Sequence, residues 1–176
     1  MSTFDSEFGI NTERLNLRWV TRDDADMMLA VWNDPDFYKY VGDRGIRTID
    51  EAYVALEEGA FSLYAKYGYG PFRVGLLETD AAIGTCGLFR REGYADPDIG
   101  WSILPDYAGR GYAYEAACAV LDYAFGEAGL SRVIAFISED NLPSLGLAKK
   151  LGMRYERMAR LPGDEEDVCL YSMAHG

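Results

Sequence analysis

Residues 13–20 (ERLNLRWV) set Leu15, Leu17 and Trp19 against polar neighbours, and that period of two marks a half-buried strand. Directly after it, Thr21 can cap a helix whose apolar stripe is Ala25, Met28, Leu29 and Trp32, with Asp34-Pro35 stopping the run. Residues 36–45 read as a loop dense in aromatics, and the capping-box spacing of Thr48 and Glu51 predicts a second helix over 48–67. Apolar, β-branched-rich runs at 71–77 and 82–90, joined by the polar segment 78–81, predict a hairpin, and 97–104 a further strand. A glycine-rich turn at 109–111 then opens an amphipathic helix carrying Ala117, Val120, Leu121, Ala124 and Phe125, which Gly129 ends. The continuous apolar run 132–137 suits a buried central strand, 142–151 a short helix closed by Gly152, and 153–161 and 168–173 two last strands. The order is strand, two helices, three strands, helix, strand, helix, two strands. It describes a mixed α/β (α+β) sheet rather than a regular βαβ winding.

With 176 residues, 49% hydrophobic and 26% charged, the chain suits one globular domain over 1–176, without repeat, linker or low-complexity tract. The first residues lack the basic start and apolar run of a secretory signal, and no stretch approaches the roughly 20 apolar residues of a membrane span. A cytoplasmic protein without a membrane partner is expected. The three cysteines, Cys86, Cys118 and Cys169, are scattered and read as core side chains, which argues against a disulfide framework or clustered metal site. A net charge of −12 would repel a phosphate backbone and argues against nucleic acid. It would draw a cationic amine, although solubility alone explains an acidic surface. The sole histidine, His175, is next to last, which leaves no histidine-based triad or metal cage.

Chemistry is concentrated in Gly109-Arg110-Gly111-Tyr112-Ala113, between a strand and a helix. Glycines there let the backbone approach a ligand, and the unpaired N–H groups of the helix start point at it, which makes an anion site. The helix dipole adds about 0.3–1 kcal/mol per charge. A plain tight turn would look the same. However, Tyr114 occupies the third glycine position of a dinucleotide fingerprint, and the Gly-Lys-Ser/Thr of a phosphate-binding Walker turn is absent.

Residues 98–116 (DIGWSILPDYAGRGYAYEA) and 138–153 (SEDNLPSLGLAKKLGM) resemble the acetyl-CoA-binding core of GNAT acetyltransferases, in the Rim-type branch typified by ribosomal-protein N-terminal acetyltransferases. The opening 13–34 and the closing DVCLYSMAH are similar to the same branch, so the resemblance spans nearly the whole chain. It implies a mostly antiparallel seven-stranded sheet, splayed between its fourth and fifth strands and flanked by helices. It implies acetyl-CoA as co-substrate, with the diphosphate on the backbone of Gly109, Arg110, Gly111, Tyr112, Ala113 and Tyr114, and the pantetheine arm along Trp101, Ser102 and Ile103. Asn141 and Ser144 match the family's N-x-x-S, which puts Asn141 on the pantetheine and Ser144 near the thioester sulfur; Asn141 also reads as a helix N-cap. Two positions depart from the wider family. Ala108 stands where Gln or Arg is common, and Ala148 where many members carry a tyrosine acid.

The activity implied is transfer of acetyl from acetyl-CoA to a primary amine, either a protein N-terminus or a small molecule, by direct attack in a ternary complex. Non-catalytic acetyl-CoA sensing is the alternative. Ser144 replaces the missing tyrosine as acid, and Asp98 or Glu139 is the candidate base. Trp32, Phe37, Tyr38 and Tyr40 are candidate acceptor-pocket walls, though aromatics so spaced also suit a core. No metal is called for, and the chain could act as monomer or homodimer.

Overall fold

The computed structural model describes residues 6–176. Its strands are β1 (Gly9–Asn11), β2 (Leu15–Trp19), β3 (Pro71–Leu76), β4 (Ala82–Phe89), β5 (Asp98–Ile103), β6 (Arg132–Ile137), β7 (Arg154–Ala159) and β8 (Val168–Ala174). They form one eight-stranded sheet in the order β1-β2-β3-β4-β5-β6-β8-β7. All neighbours are antiparallel except β5 and β6, which the crossover through a helix makes parallel. The expectation of seven strands is corrected to eight. The added strand, β1, pairs back on β2 with Ile10 opposite Leu17, and three residues are too few to show a period.

The helices are α1 (Ala25–Trp32), α2 (Pro35–Tyr40), α3 (Ile49–Leu56), α4 (Ser62–Tyr67), α5 (Tyr112–Phe125) and α6 (Leu142–Lys150). Part of the expected loop at 36–45 is thus the helix α2. Pro35 begins it rather than ending α1, because Asp34 caps it by accepting the Asp36 N–H at 3.2 Å. The predicted helix over 48–67 is α3 and α4 joined by a π-helical stretch, Glu57–Phe61, and its capping box is present: Glu51 N–H donates to Thr48 Oγ1 at 3.2 Å and Thr48 N–H to Glu51 Oε2 at 3.1 Å.

The core joins sheet and helices through stacked aromatics. Trp19 lies on Phe72 at 4.2 Å, and Tyr123 of α5 meets Phe72 edge-on at 5.3 Å. The predicted α5 stripe faces this core, with Ala117, Val120, Leu121 and Ala124 buried and Phe125 half-buried. Cys86 and Cys169 are buried and Cys118 is half-buried. A second cluster, Ile134, Ala159 and Leu170, packs β6, β7 and β8 together.

What positions the site is the meeting of β5 and β6. Their register holds one residue pair, Asp98 opposite Ile134, with Ile134 N–H donating to Pro97 C=O at 3.0 Å. Beyond that rung the strands diverge, as the resemblance implies.

Candidate active site

Strand alternation identifies the free edge of β5. Leu104 N–H donates to Ile83 C=O of β4 at 2.8 Å, whereas Pro97 accepts from β6, so odd-numbered residues turn their backbone groups away from β4. Ile99 lies beside the single rung. Trp101 and Ile103 follow, and their N–H and C=O groups face the gap without a strand partner. Ser102 turns its own toward β4, opposite Thr85.

From Ile103 the chain passes through a 3₁₀ turn, Pro105–Tyr107, to the glycine turn. Gly109 and Gly111 have φ of 74° and 81°, the left-handed region that a side chain would strain. The first backbone bond of α5 runs from Glu115 N–H to Gly111 C=O (3.1 Å), which leaves the N–H groups of Tyr112, Ala113 and Tyr114 as the open first-turn donors. Open backbone donors therefore stand in two groups, Trp101 and Ile103 on the edge of β5 and Tyr112, Ala113 and Tyr114 at the start of α5, while Leu104, Tyr107 and Ala108 between them are paired. Arg110 turns its guanidinium back to Asp106 C=O (3.2 Å).

Arg14, which the sequence reading did not single out, clamps this turn. It donates from Nη1 to Arg110 C=O at 2.9 Å and from Nε to Glu115 Oε2 at 2.7 Å, and its guanidinium lies 4.5 Å from the Tyr112 ring. Glu115 also accepts from Thr12 Oγ1 (2.6 Å) and Arg14 N–H (2.8 Å). Burial alone would raise the Glu115 carboxyl, but these bonds from Thr12 and Arg14 hold it below its usual range. A lowered carboxyl stabilises the fold above its unfolded pKa and loses that contribution as pH falls through the folded one. Glu115→Gln is therefore expected to cost about 1–2 kcal/mol at neutral pH, discounted because Arg14 is half exposed, and progressively less in acid. Urea unfolding at several pH values measures this; a pH-independent difference would refute the charge assignment.

A cleft of about 710 Å³ opens at the Asp98 end of β5, within the range of small-molecule sites. Among the expected residues, Trp32, Phe37, Tyr40, Asp98, Trp101, Ser102, Asn141 and Ser144 line it. Tyr38 and Glu139 do not. The Tyr38 hydroxyl donates to Asn33 Oδ1, and Glu139 is exposed. Ser138 Oγ donates to Tyr40 C=O at 3.1 Å, which ties α2 to the end of β6 and fixes the cleft wall.

Trp101 reaches α6. Its Nε1–H donates to Ser144 Oγ at 3.2 Å, occupying a lone pair of the hydroxyl and leaving the O–H free to donate elsewhere. Asn141 caps α6 by accepting Ser144 N–H at 3.3 Å, so its amide nitrogen remains available to a ligand. Ala148 is fully buried. The position where many relatives carry a tyrosine thus points into the core, and α6 presents Ser144 to the gap.

Asp98 is 2% exposed, and Arg91 approaches it loosely, Nε at 3.2 and 3.3 Å and Nη2 at 3.4 Å. Burial pushes the Asp98 carboxyl above its usual range, against the pull of Arg91. Among the described residues no group of His, Cys, Asp and Glu side chains could hold a metal ion, and no helix is long and apolar enough to cross a membrane.

A family profile described as an acetyltransferase (GNAT) domain matches residues 14–154. The chain belongs to the GNAT acetyltransferase family. An N-acetyltransferase of Bacillus licheniformis, p20, is 31% identical to this GNAT protein over 92% of its length and 93% of the relative's. The crystal structure of an acetyltransferase from Agrobacterium tumefaciens matches with a TM-score of 0.80 and 25% identity, over 99% of both chains. Mycobacterium smegmatis RimJ, solved in complex with CoA-disulfide, shares the fold at a TM-score of 0.76 and 20% identity, covering 91% of this chain and 81% of that one. Rim-type proteins are thus among its structural neighbours.

Proposed function

We propose that this GNAT protein transfers the acetyl group of acetyl-CoA to a primary amine by direct attack in a ternary complex. The two groups of open backbone donors, Trp101 and Ile103 on β5 and Tyr112 to Tyr114 at the start of α5, carry the reading. The edge of β5 fits an extended amide-bearing arm as an added strand would, and the Gly109–Gly111 turn, clamped by Arg14, fits a diphosphate. Acetyl-CoA supplies the acetyl group and a thiol leaving group.

An amine with a pKa near 10 arrives as ammonium and must lose a proton before its nitrogen can attack. Asp98 takes that proton. The C–N bond then forms as the C–S bond breaks and the electron pair leaves with sulfur; the nitrogen sheds its second proton to the Ser144 oxygen as the Ser144 hydroxyl, aimed by Trp101, gives its own to the thiolate, so that serine ends as it began. Backbone N–H of Trp101 or Ile103 polarises the thioester carbonyl. Holding amine and thioester together in a walled cleft removes much of the entropic barrier.

Thiol release from acetyl-CoA, followed with and without a panel of amines, tests the reading; binding without amine-dependent release would assign acetyl-CoA sensing instead. Ser144→Ala is expected to lower kcat by about 10²-fold with little change in acetyl-CoA affinity. Trp101→Phe keeps the ring and removes the Nε1–H, and a several-fold loss of kcat is expected. If Trp101 acts through Ser144, the double variant should be no slower than Ser144→Ala; additive losses would separate the two residues.

A further inference from the structure

Three arginines, Arg44, Arg90 and Arg91, line the cleft of a chain whose net charge is −12. Two are engaged within the fold. Arg90 donates to Ala95 C=O at 2.6 Å and covers the Tyr67 ring at 5.0 Å, and Arg91 gives Nε and Nη2 to Asp98. Arg44 differs. Its guanidinium lies 5.0 Å from the ring of buried Trp32, and among the described residues no carboxylate comes within the 4.0 Å of an ion pair.

Acids are present nearby but do not serve it. Glu58, Glu92, Asp98 and Asp164 border the cleft, and Glu51 faces an adjoining hollow of about 310 Å³ that Arg44 also lines. Glu51 is committed to the N–H groups of Arg47 and Thr48 at 2.7 and 3.1 Å. Arg44 as a residue is exposed, but the packing of its guanidinium over Trp32 partly desolvates the charge, and this, then the neighbouring Arg91, lowers its pKa from the ordinary value. A planar fork of five donors, stacked on an aromatic face and facing a like charge, is built to receive an anion.

We propose that Arg44, with Arg91 beside it, binds a carboxylate carried by the amine acceptor itself, so that the substrates are amino acids or other small amines bearing a carboxylate. This rests on the acetyltransferase reading. The diphosphate does not compete for the position, because the glycine turn follows the last residue of β5 whereas Asp98 and Arg91 stand at its first. A bound amino acid would direct its ammonium toward Asp98 and its carboxylate toward Arg44, with the Trp32 ring alongside. A polyamine would instead bring positive charge against both arginines.

The test uses matched acceptors, an amino acid against its amide and its decarboxylated amine, assayed by thiol release with saturating acetyl-CoA. Wild-type protein is expected to prefer the carboxylate member by about tenfold or more in kcat/KM, the scale of a charge-assisted hydrogen bond. Arg44→Gln should collapse that ratio through KM, and Arg44→Lys should restore part of it. The corresponding acid without an amine should inhibit competitively against the amine. Equal rates for acid and amide, or an Arg44→Gln variant that keeps the preference, would overturn the carboxylate site while leaving the transferase reading intact. Release unmoved by any amine, with acetyl-CoA still bound, would overturn both.

Discussion

Gly111→Val is expected to abolish acetyl-CoA binding in calorimetry at concentrations that saturate the wild type. Gly111 has φ 81° and ψ 7° at the N-cap of α5, a left-handed conformation that costs an ordinary residue about 1–2 kcal/mol and a β-branched one more. A Cβ there would already stand 3.4 Å from Arg14 Nη2, so the valine methyls would reach toward the side chain that clamps the turn. Relief of that strain rotates the open N–H groups of Tyr112, Ala113 and Tyr114 out of alignment. The fold should survive, with the melting temperature lower by only a few degrees, because such a cost is small against the core of a domain this size. Undiminished acetyl-CoA affinity would remove the diphosphate from this turn.

A second large effect is expected for Asp98→Asn, which keeps the size and removes the charge. Because burial raises the Asp98 carboxyl, the folded state binds its proton at a higher pH than the unfolded chain does. Stability is therefore lost, not gained, as pH rises from the unfolded pKa through the folded one, and the substitution should not destabilise the protein at neutral pH. Arg91, 42% exposed, is not stranded by the change. Activity should respond oppositely. We expect a loss of one to two orders of magnitude in kcat/KM at neutral pH, recovering as rising pH supplies free amine. In the wild type the acidic limb of the pH–rate profile should lie above the ordinary carboxylate range. A variant with wild-type pH–rate behaviour would show that Asp98 only holds Arg91 in place; raised KM with intact kcat would make it a binding group.

The fold was largely legible because its central elements carry periodic signals. Leu15, Leu17 and Trp19 alternate as β2 requires, and α5 keeps an apolar stripe for its whole length. The misses are local. Asn11 and Gly9 flank one apolar residue in β1, and Pro35 is a strong stop signal that is also a strong start. For the site, the glycine turn and Asn141-x-x-Ser144 are contiguous in sequence, whereas Arg14, Arg44 and Arg91 come from separate segments that only folding brings to the turn and the cleft. The Trp101–Ser144 bond spans 43 positions, so the resemblance that set Trp101 along the pantetheine arm carried no sign of its indole's partner.

The single rung between Asp98 and Ile134 bears on how the molecule comes apart. One side of it is β1 to β5; the other is β6, β7 and β8, joined to the first by side-chain packing, by a few side-chain bonds such as Ser138 to Tyr40 and Arg132 to Asp96, and by that one backbone connection between strands. On the proposed function, a ligand laid along Trp101 and Ile103 would fill the gap and couple the two parts. The empty protein is therefore the less cooperative form, in which the β6–β8 part can open at lower free energy than the whole. A melting curve recorded without acetyl-CoA describes that looser assembly, not the one that works.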